Sequence, residues 1–298
     1  MPKKRLLLIL YNDMKTPITT TLLLFTLIAA PAHAEVKLSF GVYTSDKPTT
    51  MVRQFRPVLK ALQARLSDKL GEPVRIRIQV AKNYDQGIED LVTGKVDFAR
   101  MGPASYITSK QRNPDLQLLV MESKQGSKTF YGIICVHEQS PIKEIGHLKG
   151  RSFAFGSPRS TIGRYLSQHL LLQNGVFAHD LASYKYLGRH DRVGAAVGAG
   201  QFDAGALKES TFKKLKKKGT PIRQLARFPN VTKPWIASST LNTRTISALK
   251  ETLLELKDSA ALKALKKSGF LPADDSDYAP IRESMQDNEE FFGQSNHN

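Results

Sequence analysis

Four places in the chain set a hydroxyl, a phenol or an imidazole where coil turns into helix. The sharpest is Ser157-Pro158-Arg159-Ser160-Thr161-Ile162-Gly163, which follows an apolar stretch and opens a helical one. Free N–H groups and the positive end of a helix dipole meet there beside two hydroxyls, a set that holds an oxyanion without a metal. The competing reading is a plain helix cap by Ser160. Gly102-Pro103-Ala104-Ser105 is a second junction, and His190-Asp191 opens a third helix, its imidazole either capping or meeting a ligand. Tyr84 stands after a strand, where its phenol either donates to an anion or covers the core. Hydrolase chemistry fits poorly, because no Gly-x-Ser-x-Gly elbow surrounds Ser160 and His190 and Asp191 are chain neighbours. Cys135 reads as a small core residue, and His137, His147, His169 and His179 lack paired ligand spacing. No catalytic residue, metal or cofactor is expected.

The junctions require strands and helices in alternation. Apolar runs over 36–43, 74–80, 96–99, 116–121 and 130–136 read as strands, with helices over 52–70, 84–93 and from 102 onward. A second round follows: strands over 152–155, 184–187 and 203–207, with helices over 162–174 and 191–199. After Trp235 the pattern turns helical (245–257 and 260–268), and the last dozen residues read as a frayed polar end. Two such rounds predict an α/β protein of two lobes, each a mixed sheet flanked by helices. The expected division is 35–122 plus 233–298 for the first lobe and 123–232 for the second, with hinge crossings near 122–128 and 230–234.

The chain has 298 residues, 41% of them hydrophobic and 24% charged, enough for two moderate lobes with real cores. Its single cysteine excludes an internal disulfide. Lys3-Lys4-Arg5, the apolar run 22–30 and Pro31-Ala32-His33-Ala34 read as a secretory signal over 1–34, cut between Ala34 and Glu35. Met14 is an alternative start. The mature protein is expected in the periplasm. The formal charge of +17 falls to +14 without that segment and points to anionic partners. Lys213-Lys214-Leu215-Lys216-Lys217-Lys218 raises the alternative of a secreted polyanion binder. One neighbouring aromatic, Phe212, is too little for base stacking, so nucleic acid is not an expected partner.

The order of several short motifs resembles a family. These are Phe40-Gly41, Asn83-Tyr84 with Ile88 and Glu89, Val96 to Gly102, and Leu148-Lys149-Gly150 before 153–156. Ser160-Thr161, Gly188-Arg189-His190-Asp191, Ala195-Ala196-Val197 and Gly200 to Ala204 complete the set. Together they resemble the periplasmic substrate-binding component of phosphate, phosphite and phosphonate ABC transporters over about residues 38–275. The resemblance implies a type II-like binding protein, monomeric, that closes on a small oxyanion and delivers it to an inner-membrane permease. A sensor subunit serving a membrane histidine kinase is the alternative use of the same fold.

The resemblance also implies site residues. Ser160 and Thr161 would hold the phosphonate oxygens, Ile162 would offer only its backbone N–H, and Tyr84 and His190 would be further donors. Phe130 stands at an aromatic position. Two positions where relatives that bind aminoalkylphosphonates carry carboxylates fall at Ser210, beside Glu209, and at Lys233. A lysine there would repel a ligand ammonium by about 4 kcal/mol at ~4 Å and an effective dielectric of ~20. The expected ligand therefore lacks an amine, unless Lys233 points to solvent.

Overall fold

Two mixed sheets carry the molecule, and the computed structural model describes residues 35–293 of it. The signal segment expected over 1–34 lies outside the described residues. In chain order the strands are β1 Val36–Tyr43, β2 Val74–Ala81, β3 Phe98–Arg100, β4 Gln117–Ser123, β5 Thr129–His137 and β6 Ser152–Phe155. They continue as β7 Ser183–Tyr186, β8 Ala204–Lys208, β9 Ile222–Val231, β10 Pro234–Ala237 and β11 Gly269–Leu271. The first sheet has the order β11-β4-β10-β3-β1-β2 and the second β7-β6-β8-β5-β9. β1 pairs in parallel with β2 and β3, whereas β10 runs antiparallel to β3 and β4. In the second sheet β6 is parallel to β7 and β8, and β5 is antiparallel to β8 and β9. The chain passes from the first sheet to the second between β4 and β5 and returns between β9 and β10.

The first lobe's core forms where helix Pro48–Leu70 lays Phe55, Val58, Leu59, Leu62 and Leu66 on the sheet. Proline at the helix start and Gly71 in the left-handed region after it fix the two ends. Phe40 stacks on Trp235 at 4.8 Å, with Phe98 and Phe55 around them. Burying each such ring contributes roughly 1.5–3 kcal/mol, which ties β10 into the sheet begun by β1. The second lobe packs Phe153, Phe155, Ile134 and Phe228 between its sheet and helix Leu166–Gln173.

Three features differ from the sequence reading. Strands β9, β10 and β11 were not anticipated. β9 is the edge of its sheet and carries Pro229, Arg223, Gln224 and Arg227, which leave no clean period of two. The helix expected over 162–174 begins with a wide turn, Thr161–Tyr165, before the regular helix. The end is not frayed where it is described: Asn288–Phe291 is helical, and Phe291 is buried in the second lobe's core against Phe155. Helix Ala279–Gln286 packs Ile281 in a cluster that joins first-lobe residues to Tyr165 and Leu166 of the second. Phe291 thus packs on the second lobe from within the stretch 233–298 expected for the first.

Candidate ligand-binding site

Most strands that feed the cleft end in a turn that starts a helix, and four helix N-termini meet there. They belong to helices Tyr84–Val92, Pro103–Arg112 and His190–Gly198 and to the wide turn beginning at Thr161. Tyr84, Gly102, Pro103, Ser160, Thr161, Ile162 and His190 all line one cavity of about 20 Å³. The positive ends of these first helical turns thus gather at one small space from both lobes, and several of their N–H groups are already bonded within the protein.

The local fold that sets Ser160 is tight. The amide of Gly156 donates to Gly163 O at 2.7 Å, and a Cβ on Gly163 would stand 2.7 Å from the Gly156 Cα. That close approach needs glycine at both positions. Ser160 is extended, and its Oγ accepts the Gly163 N–H at 2.9 Å. The cap expected at Ser160 is therefore present. Tyr84 is stacked on Tyr43 at 4.0 Å, with its phenol near the Ser160 hydroxyl. Burial pushes its phenol above the usual range, so it stays protonated and a donor.

The lobes are latched over this cavity. Thr161 Oγ1 accepts from Ala104 N at 2.9 Å, and Arg159 pairs with Asp85 at 2.9 Å. His190 N donates to Ser45 O at 3.3 Å, and Lys208 Nζ reaches Asp46 at 2.6 Å. The Asp46 carboxyl is opposed by burial, yet Lys208 holds it at about 2.

Several polar groups remain unpartnered inside. His190 Nδ1 and both amide atoms of Asn230 are buried without a hydrogen bond. Burial, and then Lys208, holds the His190 imidazole well below its ordinary value, so it is a neutral ring with one donor. Lys233 lies at the return crossing with only 9% of its surface exposed, its Nζ 5.0 Å from the Phe130 ring centroid. It points inward, not to solvent. Among the described residues no carboxylate pairs with it, and burial, then Arg100 and Lys208, push its ammonium well below the usual range. Arg100 is bidentate to buried Glu122 at 2.7 and 3.2 Å, and Lys267 adds a contact at 3.4 Å. Those cations hold the Glu122 carboxyl at about 2 against its burial. Arg100, Lys208, Lys233 and Lys267 thus face two carboxylates, a surplus of two positive charges when all are ionised.

Of the residues Tyr84, Phe130, Ser160, Thr161, Ile162, His190, Ser210 and Lys233 named as site positions, Ser210 alone is not on this cavity: it lines a larger neighbouring one. Glu209 beside it is held by Lys213 at 3.0 Å and Arg227 at 3.2 Å. Tyr43, Ser45, Arg100, Lys208 and Asn230 line the cavity and were not anticipated. Arg100 and Lys208 carry a usable signal, a basic residue as the last position of a fully buried strand. Ligands of open α/β sheets gather at such carboxyl ends.

Two lobes of this topology, joined by paired crossings and closed over a nest of helix N-termini, define a two-lobed solute-binding protein. Residues 40–278 match the family described as ABC transporter, phosphonate, periplasmic substrate-binding protein, and the chain belongs to that family. It is 25% identical over 209 residues, 67% of this chain and 68% of the relative, to a probable ABC transporter phosphite binding protein of Prochlorococcus marinus. It is 22% identical over 179 residues, 56% of this chain and 54% of the relative, to a phosphate-import protein of Mycolicibacterium smegmatis. In fold it is similar to the Prochlorococcus protein PhnD1 solved with methylphosphonate (TM-score 0.72, 23% identity, 85% of this chain and 97% of that one). A binding protein component of an ABC phosphonate transporter from Pseudomonas aeruginosa gives TM-score 0.73 at 17% identity, covering 87% and 88%.

Proposed function

We propose that this protein captures a small phosphorus oxyanion that carries no amine, such as phosphite, phosphate or a simple alkylphosphonate. The closed form then presents it to an inner-membrane ABC permease. The observation that carries this reading is the set of buried, unpartnered donors around a nest of helix N-termini, with a surplus of two cations once Lys233 carries its proton. A dianion supplies the acceptors those donors lack and cancels the surplus. In this reading Ser160, Thr161 and the Ile162 amide bind from the second lobe, Tyr84 binds from the first, and His190 and Lys233 complete the shell. Phe130 and Ile162 supply apolar wall. The ligand is held and released unchanged, by a monomer exported to the periplasm through cleavage after Ala34.

Titration calorimetry of the purified protein with phosphite, phosphate, methylphosphonate and 2-aminoethylphosphonate tests this. The amine-free ligands should bind about tenfold or more tighter than the amine, a gap of about 1.4 kcal/mol. The double variant Ser160→Ala, Thr161→Ala, still folded by circular dichroism, should bind none of them measurably. Tighter binding of the amine, or full binding by the double variant, would refute the proposal.

A further inference from the structure

Beside the oxyanion cavity lies a second one of about 530 Å³. The two share Arg100, Phe130, Lys208 and Lys233 in their walls, so the larger space begins where the smaller one ends. At about 20 Å³ the inner cavity admits a head group and little else. Any substituent on phosphorus must leave it, and the larger space is the neighbour with which it shares four residues. Its volume is within the ~300–1,000 Å³ range of small-molecule pockets.

The wall of this annex is basic in a specific way. Each of its carboxylates is already engaged: Asp46 by Lys208, Glu122 by Arg100 and Lys267, and Glu209 by Lys213 and Arg227. In contrast, Arg53, Lys124, Lys214, Lys233, Lys263 and Lys266 line it without an ion-pair partner among the described residues. Lys233 is buried where the two spaces join, and the other five are exposed around the rim. Phe130 gives that junction an aromatic face, with Lys233 and Lys267 5.0 and 5.7 Å from its centroid. A ligand arm leaving the head-group site therefore meets a methylene-sized apolar contact first and unmatched cations beyond it.

Building on the proposed oxyanion capture, we propose that the annex is a second anion subsite. The ligand class it selects is a phosphonate whose short organic arm ends in a carboxylate or a second phosphoryl group. The head group binds at the helix N-termini, and the arm's anion is held between Lys233 and the rim lysines.

Calorimetry with 3-phosphonopropionate, propylphosphonate and methylphosphonate separates the two levels. The carboxylate ligand should bind about tenfold or more tighter than the neutral propyl one at about 20 mM salt. The advantage should shrink as salt rises, because a Debye length of ~8–10 Å at 0.1–0.15 M screens the rim. The triple variant Lys214→Gln, Lys263→Gln, Lys266→Gln alters exposed side chains only. It should remove most of the carboxylate advantage and leave methylphosphonate affinity unchanged. Equal affinities for the two three-carbon ligands, or an advantage untouched in the triple variant, would overturn the annex proposal while methylphosphonate binding upholds oxyanion capture. Failure of methylphosphonate to bind would overturn both.

Discussion

Replacing Lys233 by methionine separates what the residue does for the ligand from what it costs the empty protein. Lys233 is buried beside Arg100 and Lys208, two further cations, and without an ion-paired carboxylate. In the empty site its ammonium is therefore destabilised, by burial first. A unit charge ~4 Å from an anionic oxygen at an effective dielectric of ~20 contributes about 4 kcal/mol. Part of that is spent on restoring the proton, so the net effect is that of one charge-assisted hydrogen bond, about 1.5–3 kcal/mol. Lys233→Met should thus weaken methylphosphonate or phosphate binding roughly 10- to 100-fold. The empty variant should melt at the same or a higher temperature, because an apolar side chain of similar length replaces a buried amine. The proton leaves a second trace. At a pH where the ligand is already the dianion, it draws Lys233 back to its charged form, so the wild type takes up protons on binding and its affinity falls as pH rises further. Calorimetry in two buffers of different ionisation enthalpy measures that uptake, which the variant should lack. An unchanged affinity together with unchanged proton uptake would refute the argument.

Gly163→Ala forces a methyl to 2.7 Å from the Gly156 backbone and 3.0 Å from Ser160 Oγ. It should cost about 1–3 kcal/mol of stability and displace the Ser160 turn enough to weaken oxyanion binding at least tenfold, read by thermal shift and calorimetry. Acid should destabilise the empty protein in two stages. His190, held neutral, refuses a proton that its unfolded form accepts near ~6.5, so stability falls as pH drops below that value. Asp46 and Glu122, both held at about 2, contribute stability that is complete above ~4.3 and lost as pH falls from there toward 2. A melting temperature that stays flat from pH 7 to 3 would contradict both. Glu122→Gln leaves Arg100 and Lys267 without their shared carboxylate and should cost about 3–5 kcal/mol by denaturant unfolding.

The parts of the site that were readable in the sequence are those with a local cause. Tyr84, Thr161 and His190 each begin a helix after a strand, and turn chemistry marks such positions without knowledge of the fold. Arg100 and Lys208 come together only because β3 and β8 end on opposite sides of one cleft, which is a property of strand order. Asn230 is the penultimate residue of β9, a strand whose Pro229 and two arginines hide its pairing. The orientation of Lys233 was open to either reading, since one sequence carries no sign of which way a lysine at a hinge turns. Ser210 was placed one wall away, because Lys208 rather than its successor fills the cleft end of β8. The buried Phe291 was lost among the acids and amides around it.

That final aromatic has a practical consequence for anyone wishing to watch the molecule work. The first residues of β1 travel with one half of the protein, while the plug formed by Phe291 fastens the other extremity to the opposite half. Dyes attached near Lys37 and near Gly293 would ride on separate bodies, so their energy transfer would register each opening and closing directly. The same seat makes the carboxyl extremity a strap across the gap, and trimming the chain just before Asn288 should let the halves swing wider.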